Sequence, residues 1–385
     1  MDVLYSLLDV DNQRLDIIAQ ENMFTNTLNF VLTTATDDIF SLNDTIVERF
    51  CTNILPRIHH NVKSLILDSV SMERILLAAD YPNLTELKLF NFNDTIVSYY
   101  FIDQSPFQRI FQRQITDLIL VFEKDSDKSE KYEKIYLYEY IFKFFKNLKH
   151  LSIFGSSPCC FPPLVLHDFP LTTFSSSILN KLCIRVMTFD DCLALLDGRL
   201  KQLTTLIVGI IDLEYDSSNV YNMDDLPNLK CFSLSAHCCL SDTYDTQILP
   251  LFRRMSNLEE LNIYIGIKNR TVFIDGIHMN NEILVHMPWL HIFSFNINMK
   301  TEIDRVVHHL SKDDIQRTFT NNIFQQVDCI INYGYSTVMC HVFSSSFRCY
   351  YLTYIGYTFP NINYLQTLED LMIYDEVPFK DEFFY

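Results

Sequence analysis

A short phrase, Asn-Leu-x-x-Leu-x-Leu, recurs along this chain of 385 residues and constrains its fold more than any other feature. The clearest copy spans residues 83–89, and similar copies begin at Asn147, Asn228 and Asn257. The central residues of nine successive copies are 22 to 33 positions apart: Leu65, Leu87, Leu118, Leu151, Leu182, Leu206, Phe232, Leu261 and Phe293. A later copy centres on Leu371. Self-similarity at this spacing is typical of a repeated strand-plus-helix unit.

The phrase also predicts how the units are arranged. Its Leu-x-Leu core is typical of the strand of a leucine-rich repeat, and repeated strand–helix units predict parallel strands with right-handed crossovers. Regular repeats place Asn or Cys three residues after the second Leu, and here only Asn298 fits. We therefore predict an α/β fold, an irregular leucine-rich-repeat-like solenoid with parallel strands on the concave face, helices on the convex face and a small helical N-terminal segment.

Helices are predicted between the copies of the phrase. The clearest begins at Thr188-Phe-Asp-Asp191 and ends near Gly198, a residue suited to a helix C-terminus. A second is expected to begin with Ser71 as its N-cap. Further helices are predicted over residues 132–145, 248–255 and 280–287.

Three domains are expected along the chain. Residues 1–42 differ in kind from the repeats, residues 43–300 form the repeat array, and residues 301–385 are an interrupted continuation with extra strands and a last repeat. The polar run over 123–131 is predicted to be a surface insertion, and residues 338–357 are predicted to form short strands.

Composition excludes several function classes. The net charge of −18 disfavours nucleic acid and anionic membrane surfaces as partners, because both would be repelled. No apolar run has the length of a membrane span, no secretory signal opens the sequence, and the 11 cysteines include no C-x-x-C pair. We expect a reducing compartment, cytoplasmic or nuclear.

No catalytic phrase stands out, so we predict neither enzymatic activity nor a cofactor. The nearest metal-like clusters are His237-Cys238-Cys239 and the weaker Cys340-His341, and both are better explained as packed or loop residues. The pairs Asp190-Asp191 and Asp313-Asp314 are expected to start helices, where carboxylates favour the positive end of the dipole.

The surface predicted to bind protein substrates is the concave face, whose residues alternate with the buried leucines. The predicted partner-binding residues are Lys88, Phe90, Ser152, Phe154, Arg185, Ser233, Asn262, Tyr264 and Asn296. Phe90, Phe154 and Tyr264 suit hot-spot anchors, since aromatic residues among polar ones are typical of interfaces. The alternative is that a C-terminal extension or a neighbouring loop covers these aromatic side chains.

Residues 2–7 (DVLYSL) and 12–16 (NQRLD) resemble the latter half of an F-box, and the rest resembles a large, lineage-expanded family of F-box proteins with degenerate leucine-rich repeats. Matching phrases occur at 54–60 (ILPRIHH), 71–76 (SMERIL), 188–192 (TFDDC), 195–200 (LLDGRL), 253–261 (RRMSNLEEL), 313–317 (DDIQR) and 378–384 (PFKDEFF). An F-box usually opens with an L-P-x-E-[LI] segment and a hydrophobic helix, and the match here starts after both.

The resemblance implies a substrate receptor of a cullin ubiquitin ligase, in which the F-box docks onto a Skp-type adaptor and the repeats select substrates. The residues implied to contact the adaptor are Val3, Leu4, Leu7 and Leu8. The alternative is a scaffold or interaction protein with no link to ubiquitin ligases, because only part of the F-box is present.

Overall fold

The computed structural model shows a mixed α/β chain with a large, mostly parallel sheet. It describes residues 4, 6, 21–33, 39–93, 96, 99–102, 104–122, 140–142, 144–155, 163–166, 175–213, 225–306, 311–324, 326–344, 351–353 and 370–372. The chain divides into two compact units, one formed by Met1–Arg185 with Gly198–Leu203 and the other by Val186–Asp197 with Thr204–Tyr385. The predicted boundaries at residues 42 and 300 stay predictions.

The first unit contains a run of parallel strands and a small hairpin. Its strands are β1 (Thr27–Asn29), β2 (Val31–Thr33), β3 (Ile39–Ser41), β4 (Ser64–Asp68), β5 (Glu86–Phe92), β6 (Asp117–Phe122), β7 (His150–Gly155) and β8 (Lys181–Thr188), of which the last three residues belong to the second unit. Strand β1 pairs with β4, and β4 to β8 pair in chain order, all in parallel. Strands β2 and β3 pair antiparallel.

The second unit begins with parallel strands and ends with antiparallel ones. Its strands are β9 (Thr205–Asp212), β10 (Cys231–Leu240), β11 (Glu260–Lys268), β12 (Ile292–Glu302), β13 (Val327–Tyr333), β14 (Thr337–Ser344), β15 (Tyr351–Thr353) and β16 (Asp370–Met372). Strands β9 to β12 pair in parallel, whereas β14 lies antiparallel between β12 and β13. Strand β15 lies within the region predicted to form short strands, and β16 lies after it. The two strands pair in parallel.

The recurring phrase sets the strand register. The predicted central residues Leu65, Leu87, Leu118, Leu151 and Leu182 are direct partners across β4 to β8. The central residues of β9 to β12 are likewise in register: Leu206, Phe232, Leu261 and Phe293. Equivalent residues of successive repeats therefore form rows across each unit.

The buried and half-exposed sides of the strands alternate as predicted. In β11 every second residue, from Leu261 to Ile267, is at most 1% exposed, while Asn262 and Tyr264 between them are half-buried. Burying one Leu or Ile side chain fully stabilises the folded chain by roughly 1.5–3 kcal/mol. In β5 a bulge at Asn91, which has a φ of 51°, restores Phe92 to the buried side.

In three copies of the phrase, the asparagine links its turn to the one before it. The Asn83 side-chain amide donates to the His60 carbonyl at 2.6 Å. Asn147 makes the equivalent bond at 2.7 Å. Asn257 donates to the Pro227 carbonyl at 3.1 Å. These bonds satisfy turn carbonyls that lie outside the sheet ladders, so the asparagine holds neighbouring repeats at a constant offset.

The helices lie between the strands, and most are short. The α-helices are Asn22–Thr25, Asp44–Arg49, Leu55–Ile58, Met72–Leu77, Gln108–Arg113, Phe189–Leu195, Ser241–Thr243, Leu249–Arg253, Gly276–Glu282 and Lys312–Gln316. Residues Phe50–Ile54 and Tyr244–Ile248 form π-helical turns, and short 3-10 turns cover His59–Asn61, Leu284–His286 and Ile303–Arg305.

Two of the predicted helices begin earlier than their patterns indicated. The helix predicted over 248–255 starts at Ser241, because a π-helical turn continues it toward its N-terminus. The helix predicted over 280–287 begins at Gly276 and passes into a 3-10 turn. Of residues 132–145, the structure describes 140–142, 144 and 145; the first four of these are helical, and the polar run 123–131 lies outside the described residues.

The predicted start of the helix at Thr188 is confirmed. The Thr188 hydroxyl accepts from the Asp191 backbone N–H at 3.2 Å, and the Asp191 carboxylate accepts from the Thr188 N–H at 2.9 Å. This reciprocal pair is a capping box. Gly198 follows with a φ of 102°, which only glycine adopts without strain.

The predicted Ser71 cap is wrong. The Ser71 hydroxyl accepts no N–H of its helix. Instead the buried Asp68 carboxylate, at the end of β4, accepts from the Val70 and Ser71 backbone N–H groups, both at 2.8 Å. The Asp68 carboxylate therefore holds the turn that leads into the helix, and the first N–H groups of the helix receive no side-chain cap from Ser71.

Candidate functional site

The candidate site is the side of the strands that alternates with the buried Leu-x-Leu residues, called here the polar face. In the first unit two rows of register partners cross it. The first row is Ser64, Glu86, Asp117, His150 and Lys181. The second row is Ile66, Lys88, Ile119, Ser152 and Cys183. Because neighbouring strands are about 4.8 Å apart, each row is a close-spaced strip of side chains.

A carboxylate and an imidazole meet in the middle of the first row. The Asp117 carboxylate contacts the His150 Nδ1 atom and also accepts from the Thr116 hydroxyl at 2.6 Å. Both side chains are partly exposed, so solvent screens the pair and it serves mainly to orient the two groups. Lys181, at the end of the row, is exposed.

Lys88 occupies an apolar position in the second row. Its register partners are Ile66 and Ile119, and its ammonium lies 4.5 Å from the centroid of the Phe90 ring. Burial lowers the pKa of the Lys88 amine, and the nearby Glu86 carboxylate opposes that shift. The cation–π contact stabilises the charged form where water is partly excluded.

The far end of the first unit's polar face combines an aromatic and a polar group. Phe154 is 42% exposed, and Ser152 beside it is half-buried. Arg185 is half-buried, and its backbone carbonyl accepts from the Leu164 N–H at 2.9 Å. The neighbouring Cys183 thiol is buried, and burial raises its pKa to about 11, so it is a poor nucleophile.

In the second unit the polar face carries few charges. Ser233 and Asn262 are register partners, and Tyr264 lies two residues beyond Asn262; all three are half-buried. The Asn262 amide donates to the Glu260 carboxylate at 2.9 Å. Hydroxyl and amide groups of this kind suit hydrogen bonding to a partner's backbone.

The prediction that Asn296 belongs to an exposed binding surface is wrong. Asn296 lies on the polar face in register with Tyr264, but it is only 4% exposed. Its side-chain oxygen is 2.6 Å from the Nε2 atom of His341, which β14 brings alongside β12. Ser294 on the same strand is buried as well.

The His341–Asn296 pair was not predicted from the sequence. His341 is 7% exposed, and burial lowers the pKa of its imidazole to about 4. Its direct strand neighbours, Asn298 and Ile330, carry no charge. The only sequence signal was the alternation of residues 338–344, which places His341 opposite the buried Cys340 and Val342.

A second cluster that the sequence did not indicate lies between two helices of the second unit. Arg270 donates to both carboxylate oxygens of Asp245 at 2.9 Å, and its guanidinium lies 5.2 Å from the centroid of the buried Tyr244 ring. Burial and the Arg270 charge lower the pKa of His278, whose ring is 6.0 Å from that of Tyr244. The cluster ties the segment after β11 to both helices.

Little of the predicted adaptor-binding segment is described. Leu4 is helical and fully buried, and Val3, Leu7 and Leu8 lie outside the described residues. A leucine that contacts an adaptor must be accessible to it, so Leu4 would need to be uncovered before docking.

The His237 and Cys238 side chains lie outside the residues that the structure describes. Within those residues, no group of three or more His, Cys, Asp or Glu side chains is arranged to hold a metal ion. Asp190–Asp191 and Asp313–Asp314 lie in the first turns of helices, as predicted.

Among the described segments, no helix has both the length and the apolar character needed to span a bilayer. No protein-family model matches this sequence, and no curated protein matches it.

Proposed function

We propose that this chain is a non-enzymatic protein-binding module that uses the polar face of its sheet. The observation that carries the proposal is Phe154, which is 42% exposed at one end of that face instead of being buried. A half-buried Phe90 and Lys88 lie on a nearby strand of the same face. Aromatic side chains surrounded by polar groups are typical of interface hot spots.

We further propose that the repeats are irregular leucine-rich repeats. The in-register row of Leu65, Leu87 and Leu118 supports this, as does the asparagine that bonds one turn to its predecessor in three copies of the phrase. Such arrays present wide binding surfaces because each repeat adds one strand to a continuous face.

The partner class we propose is the protein substrates of a cullin ubiquitin ligase, with this chain as the receptor. The support is the resemblance of residues 2–16 to the latter half of an F-box and of the remainder to F-box proteins with leucine-rich repeats. Under this proposal Val3, Leu4, Leu7 and Leu8 contact a Skp-type adaptor. The chain itself performs no chemistry and needs no cofactor.

One observation favours a second candidate, a scaffold without a ligase link. Leu4 is fully buried, which places one of the four proposed adaptor contacts inside the fold. A scaffold would use the same polar face for its partners but would not bind the adaptor.

The test combines adaptor binding with substitutions on the polar face. The chain is co-purified with a Skp-type adaptor, and its bound partners are quantified by mass spectrometry for wild type and for a Phe90→Ser/Phe154→Ser variant. Phe40→Ser is the matched control, because Phe40 is an exposed aromatic residue on β3, outside the polar face. Circular dichroism verifies that each variant is folded.

Each combination of results selects one proposal. Adaptor binding, together with partners lost only in the double variant, supports the receptor. The same loss of partners without adaptor binding supports the scaffold. Partners retained by the double variant, or lost equally in the control, would show that the polar face is not the interface.

A further inference from the structure

The polar face of the first unit carries basic as well as acidic side chains, although the whole chain has a net charge of −18. Its exposed or half-buried carboxylates each have a basic neighbour. Asp117 contacts His150, and Glu86 interacts electrostatically with Lys88. Lys181 is exposed and forms no ion pair with any residue that the structure describes. Lys181 therefore offers an exposed positive charge at this end of the polar face.

This local charge acts on a partner only at short range. At physiological ionic strength charges are screened beyond about 8 Å, so the distant acidic surface weakly affects a group held beside Lys181. A long polyanion would still extend over the acidic remainder of the chain and be repelled. A short acidic segment of a protein fits better, because it needs to cover only this end of the face.

The position of Phe154 relative to Lys181 defines the length of that segment. Lys181 is the register partner of His150, and Phe154 lies four residues after His150 on the same face of β7. Four residues along a strand and one strand spacing across separate the two positions by about 14 Å. An extended peptide covers about 14 Å in about four residues, and residues four apart point to the same side.

We propose that this end of the polar face binds an extended protein segment in which an Asp or Glu and a large apolar residue are four positions apart. The carboxylate pairs with Lys181, and the apolar side chain packs on Phe154. The intervening residue that faces the sheet lies near the half-buried Ser152, where a small or polar side chain fits. This inference rests on the proposed function and specifies the partner's chemistry.

The probe is an array of synthetic peptides of about ten residues, with one carboxylate and one Phe in a Ser/Gly background and spacings shorter than, equal to and longer than about four residues. A matched array replaces the carboxylate with Lys. Wild type is compared with Lys181→Glu, Phe154→Ser and the control Lys146→Glu, which changes an exposed lysine in the turn before β7. Circular dichroism verifies that wild type and each variant are folded before the peptides are added.

We expect wild type and Lys146→Glu to bind the acidic array best at a spacing of about four residues. Lys181→Glu should bind those peptides about fivefold to tenfold more weakly and gain binding to the Lys array, because the charge at the site is reversed. Phe154→Ser should weaken binding to both arrays.

Other results overturn the inference in distinguishable ways. Binding that is independent of peptide charge, or unchanged by Lys181→Glu, removes the acidic partner but leaves the polar face as an interface if Phe154→Ser still weakens it. Equal binding by wild type, Lys181→Glu and Phe154→Ser, or no binding at all, removes the inference. If the Phe90→Ser/Phe154→Ser variant also retains all cellular partners, the proposed function fails with it.

Discussion

His341 provides the sharpest test of packing in the second unit. Its Nε2 atom lies 2.6 Å from the Asn296 side-chain oxygen, which can only accept, so Nε2 carries a proton and donates this bond. Burial holds the pKa of the ring at about 4, below its ordinary value of 6.5. The fold therefore selects the uncharged imidazole.

The sign and size of the effect on stability follow from that shift. Above pH 6.5 the ring is neutral in both the folded and the unfolded chain, and its contribution is fully present. As the pH falls from 6.5 toward about 4, the unfolded chain binds a proton that the folded chain excludes, so the free energy of unfolding decreases. At about 1.4 kcal/mol per pKa unit, the whole interval corresponds to about 3 kcal/mol.

The measurement is urea unfolding followed by circular dichroism from about pH 7.5 to about pH 4.5, with wild type compared with His341→Gln. Glutamine keeps an N–H donor for Asn296 but does not titrate. Below pH 6.5 the stability advantage of wild type over His341→Gln should shrink by about 1.4 kcal/mol per pH unit. Asn53→Ala, a change at an exposed position that removes no titratable group, should keep the wild-type pH dependence. If wild type and His341→Gln lost stability in parallel throughout, the buried neutral histidine would be refuted.

Three further predictions concern other parts of the fold. Gly276→Ala should lower the free energy of unfolding by about 2–3 kcal/mol, because the added Cβ would lie 2.4 Å from the Thr318 carbonyl oxygen; an unchanged thermal midpoint would contradict this. Asn257→Ala should cost about 1 kcal/mol through its lost turn-to-turn bond, whereas Asn53→Ala, at an exposed position, should be neutral in the same denaturation assay. Lys88 should reach half-maximal acylation at a lower pH than exposed lysines, because burial lowers its pKa; peptide mapping that gave equal pH profiles would argue against it.

Strand positions and their buried side could be predicted because both depend on local, repeated patterns. The central residues of the phrase, from Leu65 to Leu182 and from Leu206 to Phe293, are the residues that pair in register in the two runs of parallel strands. When every second residue of a strand is hydrophobic, only one side of that strand is buried. The alternation therefore predicted that Lys88 and Asn262 would be on the half-exposed side.

Of the two predicted helix caps, the one at Thr188 was confirmed and the one at Ser71 was wrong. The Thr188 cap depends on residues three positions apart, and such local bonds can be read from sequence. The cap expected at Ser71 did not form, and the turn before that helix is held by the Asp68 carboxylate at the end of the preceding strand.

By itself, the sequence determined the parallel strand–helix repeat, the register of its rows and the alternation of its faces, since each is a matter of spacing and hydrophobic period. Only the tertiary structure decided which polar-face residues stay open. Phe154 remained exposed, whereas Asn296 was buried against His341, 45 residues later in the chain. That contact depends on β14 returning antiparallel beside β12, and a contact between distant segments leaves no periodic trace in either of them.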